Sequence, residues 1–221
     1  MINISVASKN DVKYIYEICD LIESSAQKRG TGIAKRKPEY IKSKILEDKS
    51  VIAKDNDKLV GFCYIESWEH SKYVANSGLI LKEEYRRQGI ARKLKAKAFE
   101  HSRKKFPKAK LFGITTNIAV MKINSSLGYK PVTFSELTTD DAFWKGCEGC
   151  VNYKILEHTN RTHCLCTGML FDPNNEKHID NTKNRKSYKI YARWFKYKFQ
   201  ILSKITKKKK EIKEIKELNL S

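Results

Sequence analysis

Apolar and polar positions along the chain switch repeatedly between a period of two and a period of three to four. "ISVAS" (Ile4 to Ser8) reads as a short first strand. From a capping Asn10 or Asp11, the residues Val12, Ile15, Cys19, Ile22 and Ala26 recur at steps of three and four, the pattern of an amphipathic helix. "PEYIKSKILED" predicts a second helix, opened by Pro38. "SVIAKDNDKLVGFCYIES" predicts two strands about a turn at Asp55-Asn56-Asp57. "KYVANSGLIL" is a further strand in which Gly78 signals a bulge. A helix to about Lys105, the strand "KAKLFGITT", a helix from Asn117 to a left-handed cap at Gly128, and the strand "PVTFSEL" follow. Pro38, Pro107, Pro131 and Pro173 all fall at element ends, and no internal repeat occurs. The order β-α-α-β-β-β-α-β-α-β predicts a mixed α/β domain.

The junction after the "SGLIL" strand reads "EEYRRQGIARKL", Glu83 to Leu94. A helix N-terminus offers unpaired N–H groups and partial positive charge, and so receives phosphate. Gly89 keeps a Cβ out of the way, Ala91 keeps the next position small, and Arg86, Arg87 and Arg92 add charge. An ordinary basic turn would share these features, so the spacing matters more than the composition. A nucleotide P-loop and a three-glycine dinucleotide fingerprint are both absent.

Arg86-x-x-Gly89-x-Ala91, between a strand and a helix, resembles the (Gln/Arg)-x-x-Gly-x-(Gly/Ala) motif of the GNAT superfamily of N-acetyltransferases. "NIAVMKINSSLGYK" resembles the family's later helix, with Asn117, Ala119 or Val120, Gly128 and Tyr129 matching in type and spacing. The resemblance covers about Ile4 to Phe134. It implies an α+β fold in which a central mixed, largely antiparallel sheet splays at a cofactor cleft between flanking helices. It also implies acetyl-CoA as co-substrate and transfer of an acetyl or related acyl group to an amine. Leu79, Ile80 and Leu81 would lie along the pantetheine arm, with strand N–H groups polarising the thioester carbonyl. Gln88, Gly89, Ile90, Ala91 and Arg92 would take the pyrophosphate, with Asn117 at the later strand end. One position departs from the pattern: Asn124 stands where many members carry a tyrosine that protonates the departing thiolate. An amide can hydrogen-bond the cofactor but cannot act as that acid, which leaves water, or no dedicated acid.

The attacking amine needs a base. Glu66, Glu69 and His70 are candidates after the third strand, and Glu66 is preferred because it continues a strand bordering the cleft; exposed polar strand ends are the plain alternative for the other two. After "PVTFSEL" the chain carries a cysteine-rich segment, read as a helical insertion over residues 135–163 before a last strand "HCLCTGMLF". Cys147-x-x-Cys150 and Cys164-x-Cys166 make a four-thiol set, read as a zinc site if Cys164 and Cys166 share one face of that strand. Reduced buried thiols, or a redox pair at Cys147 and Cys150, are the alternatives. "FWKGC" and "CLCTGML" also resemble a bacterial acetyltransferase subgroup associated with arginine-biosynthesis gene clusters. That implies an acidic acceptor such as glutamate, with Arg161 or a basic cleft pairing its carboxylates.

Charge alters the picture only at the end. The 45 basic and 25 acidic side chains give +20 over 221 residues, and residues 172–221 are the most densely basic. There Ile190, Trp194, Tyr197, Ile201 and Ile205 form a stripe at helical spacing. The domain boundary is therefore set at 1–171 for the acyltransferase domain and 172–221 for a basic amphipathic tail. Packing on the domain, a second subunit or a partner surface is favoured for that tail, ahead of an anionic membrane, with nucleic acid last. No apolar run is long enough to span a bilayer and no signal pattern opens the chain, giving the expectation of a soluble, cytoplasmic protein. The competing reading is a non-catalytic binding protein in which Asn124 marks lost catalysis and the tail docks on nucleic acid, membrane or protein.

Overall fold

The computed structural model describes residues 1–29 and 36–178. The amphipathic stripe in the tail lies outside the described residues. Among the described residues seven strands form one sheet: β1 (Ile2–Val6), β2 (Ser50–Asp55), β3 (Lys58–Trp68), β4 (Tyr73–Leu81), β5 (Lys110–Thr115), β6 (Lys130–Val132) and β7 (Thr167–Phe171), ordered β1-β2-β3-β4-β5-β7-β6. Every pairing is antiparallel except β4 with β5. The helices are α1 (Ile15–Arg29), α2 (Pro38–Leu46), α3 (Ile90–Lys105), α4 (Ile118–Ser126), α5 (Asp141–Lys145) and α6 (Tyr153–His158). The fold is thus mixed α+β, with a largely antiparallel sheet.

Strand alternation sorts the core into two layers. Ile52, Phe62 and Ile80 face α1 and α2, meeting Ile15, Ile18, Ile22, Ile41 and Ile45. Val51, Ala53, Cys63 and Leu81 face α3, meeting Ile90, Leu94 and Ala98. Each Ile, Leu, Val or Phe among them contributes about 1.5–3 kcal/mol on burial, so packing rather than propensity holds the β-branched α1 helical.

Three boundaries differ from the sequence expectation, each for a local reason. β1 ends at Val6 because Ser8 donates its N–H and hydroxyl to Asp11 Oδ2, at 2.8 and 3.0 Å, and the chain enters α1 through a tight turn. Burial alone would raise the Asp11 pKa, but hydrogen bonds from Lys54 (2.6 Å) and Ser8 outweigh it and hold the carboxyl below its usual range. β6 covers only Lys130–Val132, since Glu136 Oε1 accepts from the Thr133 N–H at 3.1 Å and turns the chain out of the sheet. β7 begins at Thr167, after a bend that holds Cys164 and Cys166.

Candidate active site

β4 and β5 pair at Tyr73↔Lys110, Val74↔Leu111 and Ala75↔Phe112, then separate. β4 continues along β3 to Leu81 and β5 continues along β7 to Thr115, so the parallel pair opens as a V. A cavity of about 720 Å³ occupies the opening. On the β4 side, three residue steps from Ser77 to Ile80 face two from Tyr64 to Phe62, a bulge centred on Gly78. Gly78 has φ +63, and a Cβ there would lie 2.3 Å from the Tyr64 ring. Ser77, Gly78 and Leu79 line the cavity. Ile80 and Leu81 instead bury their side chains in the two cores.

β4 ends at the open side of the V, and the arginine loop follows it. Arg87 (φ +64) and Gly89 (φ +76) both take the left-handed conformation, and Gly89 is the N-cap of α3. A Cβ on Gly89 would meet nothing within 4 Å, so the glycine serves backbone shape and open approach. Arg87, Gln88, Gly89 and Arg92 are exposed, Ala91 is half-buried, and Ile90 anchors the turn in the core. Arg86 pairs with Glu83 at 3.8 Å. The loop therefore offers the first-turn N–H groups of a sixteen-residue helix to solvent beside long cationic side chains. None of Arg86 to Arg92 lines the cavity itself.

Asn117 lines the cavity and caps α4, its Oδ1 accepting from Ala119 N–H at 2.8 Å. Asn124 also lines it and is 2% exposed. Its Nδ2 sits 3.7 Å from Met169 Sδ, while its Oδ1 is buried without a partner. An orphaned acceptor in a cavity wall suits a ligand amide N–H or thiol. The residues thus fit coenzyme A: phosphate-binding N–H groups at α3 and an unmatched acceptor deeper in the V.

Glu66 lies in the cavity wall, accepts a hydrogen bond from Tyr40 Oη, and has Lys44 Nζ 3.5 Å away. Burial foremost, then Tyr64 and Glu66, pushes the Tyr40 pKa far up, so Tyr40 stays a donor. Arg36 donates to Tyr64 Oη at 2.9 Å and lies over the Tyr40 and Tyr64 rings. Glu69 is committed elsewhere. It accepts from the Thr138 hydroxyl (2.7 Å) and the Thr139 N–H (2.8 Å), which lowers its pKa. These bonds fasten the β3–β4 turn to the insertion. Arg161 is exposed, pairs with Asp141, and does not line the cavity.

The insertion forms the remaining wall through Phe143, Cys147, Cys150, Cys164 and Cys166. The expected zinc site requires correction. Among the described residues no group of three or more His, Cys, Asp and Glu side chains is arranged to hold a metal ion. The expectation placed Cys164 and Cys166 in a strand, whereas both precede β7 in a bend, where their thiols are neighbours of each other. Cys147 and Cys150 sit in a turn closed by Cys150 N–H to Cys147 O at 2.9 Å. All four are free thiols. Burial, then neighbouring Cys150 and Cys164, pushes the Cys147 pKa up to about 11, which leaves little thiolate for redox chemistry.

Sequence reasoning missed Arg36, Tyr40 and Lys95 in the cavity wall. Lys95 left a trace: Ala91, Lys95, Ala98 and Ser102 step by four, three and four on the buried face of α3. Arg36 left none, because its place depends on how α2 meets β3.

A sheet opened between two parallel strands, with a helix N-terminus at the open end, defines an acyl-coenzyme A-binding type of α+β domain. The chain belongs to the acetyltransferase (GNAT) family, whose model matches residues 14–128. No curated protein matches it in sequence. Among solved structures it is similar to N-acetylglutamate synthase from Neisseria gonorrhoeae complexed with coenzyme A and N-acetyl-glutamate. The identity is 17%, covering 78% of this chain and 35% of that one, with TM-score 0.55. The chain thus spans about a third of that synthase's length. An acetyltransferase of the GNAT family from Staphylococcus aureus Mu50 is 14% identical over 78% of this chain and 99% of its own, with TM-score 0.56. The yncA protein from Salmonella typhimurium, solved with acetyl-CoA, is 15% identical over 81% and 98%, with TM-score 0.52.

Proposed function

We propose that the chain is an acyl-CoA-dependent N-acyltransferase that transfers an acetyl or related group to the amine of a small acidic molecule such as glutamate. The V between β4 and β5 carries this reading, because it joins a phosphate-binding helix end to a cavity with a carboxylate in its wall. Leu79 and the bulge at Gly78 run along the pantetheine arm, and N–H groups of the bulge receive the thioester carbonyl oxygen, stabilising charge as it develops. Gln88, Gly89, Ile90, Ala91 and Arg92 hold the pyrophosphate, assisted by Arg86 and Arg87. Asn117 and Asn124 border the arm from α4. Glu66, held by Tyr40, removes a proton from the acceptor ammonium directly or through water. Arg36 and Lys37 in the same wall favour an acceptor bearing a carboxylate.

The test is thiol release from acetyl-CoA and succinyl-CoA against a panel of amino acids, polyamines and protein N-termini. Release with glutamate or another acidic amine is expected. Tight acetyl-CoA binding without release for any acceptor would replace this reading with the non-catalytic one. For Glu66→Gln the expected result is a fall in kcat of about 10²-fold with an unchanged Kd for acetyl-CoA. A kcat equal to that of the wild type removes Glu66 from the role of base.

A further inference from the structure

Lys95 is the lysine that the described fold buries, at 2% exposure, in the wall of the same cavity. Its Nζ donates to the backbone oxygen of Asn76 at 2.9 Å. The direction of that oxygen locates the amine. Ile65, paired with Asn76 across β3 and β4, sends its N–H to Lys49 O, away from β4. In an antiparallel ladder Asn76 then turns its own N–H and C=O away from β3 as well. They face the side where β5 has just left, one residue beyond the last parallel pair at Ala75↔Phe112. Lys95 Nζ therefore stands at the apex of the V.

Its surroundings are neutral. Asn76 Nδ2 donates to Ser102 Oγ at 2.7 Å, and its Oδ1 accepts from Tyr129 Oη at 3.0 Å. The Tyr129 ring lies 5.7 Å from Nζ, and the Cys63 thiol approaches from β3. Burial pushes the pKa of both Cys63 and Tyr129 up, so both stay protonated. No carboxylate among the described residues forms an ion pair with Lys95. Asn124, from α4, lines the same cavity and has no proton to give.

Building on the acyltransferase reading, we propose that Lys95 donates the proton that the coenzyme A sulfur takes up as the thioester breaks. The acceptor nitrogen bonds to the carbonyl carbon, the C–S bond breaks with its electron pair going to sulfur, and a proton moves from Lys95 Nζ to that sulfur. Coenzyme A leaves as the thiol. Neutral Lys95 recovers its proton from one of the two that the acceptor ammonium sheds; the other goes to solvent. Desolvation lowers the Lys95 pKa, which makes the ammonium a better acid than an exposed lysine.

Two measurements on the full chain test this. Thiolate absorbance of bound coenzyme A is titrated in the wild type and in Lys95→Met, which replaces a buried amine by an apolar chain of similar length. An ammonium beside the sulfur favours the thiolate, so the bound sulfur is expected to ionise about one pH unit lower in the wild type. In transfer assays, Lys95→Met is expected to lose about 10²-fold in kcat with acetyl-CoA, with little loss using the acetyl thioester of thionitrobenzoate, whose thiolate leaves unaided. Equal losses with both donors, together with unchanged sulfur ionisation, would overturn the proposal. If the variant does not fold, the wild-type pH–rate profiles decide: an alkaline decline with acetyl-CoA that the aryl thioester lacks supports Lys95, and identical declines overturn it. A wild type that transfers from neither donor to any acceptor overturns the acyltransferase reading itself. That outcome is distinct from an active wild type indifferent to position 95.

Discussion

Replacing Gly78 by valine is expected to destabilise the domain by about 3–5 kcal/mol and to abolish acyl transfer at assay temperature. Two effects add. The left-handed backbone at φ +63 is strained for any side chain and worst for a β-branched one. The new Cβ would also start 2.3 Å from the Tyr64 ring, and Tyr64 is buried with Phe62 and Ile80. Tyr64 cannot swing aside cheaply, because its hydroxyl receives Arg36. Urea denaturation gives the stability, and Gly78→Ala should lie between wild type and valine. A shift under about 1 kcal/mol for valine would mean that the bulge relaxes and does not depend on the glycine.

Gly89→Glu tests the other glycine by a different route. Here a side chain meets open space, so the fold should tolerate it apart from a backbone cost of about 1–3 kcal/mol. The carboxylate would stand at the N-terminus of α3, where the pyrophosphate is proposed to sit. The Kd for acetyl-CoA is expected to rise at least about 100-fold, comparable to losing a charge-assisted contact and gaining a repulsion. Gly89→Asn is the control, since asparagine tolerates the left-handed conformation without charge. It should stay within about fivefold of the wild type. Calorimetric titration gives both values; equal weakening by the two variants would assign the effect to backbone shape.

The features legible in the sequence were those written in local periodicity or in a spaced motif. The order of elements, the bulge at Gly78, the junction at Gly89 and the cap at Asn117 all depend on residues within a few positions. The zinc reading assumed a strand over Cys164 and Cys166 that begins only at Thr167, and no group among the described residues is arranged to hold a metal ion. Glu66 was preferred over Glu69 only because it continues the third strand. Their separation comes from Thr138 and Thr139, about seventy residues away, which claim Glu69 for the turn. Lys95 was visible as a charge on an apolar stripe, yet the oxygen it meets is defined by how β4 and β5 part.

The family match ends at residue 128, whereas the cysteine-bearing wall of the cavity runs from Phe143 to Cys166. The stretch that carries the family match and the stretch that closes this wall of the cavity therefore follow one another in the chain. They meet through hydrogen bonds from two threonines to Glu69 and through packing of Phe143 on Trp68 and Phe112. Insertions or deletions in the later stretch would therefore reshape one wall of the cavity while leaving the loop from Arg86 to Arg92 as it is.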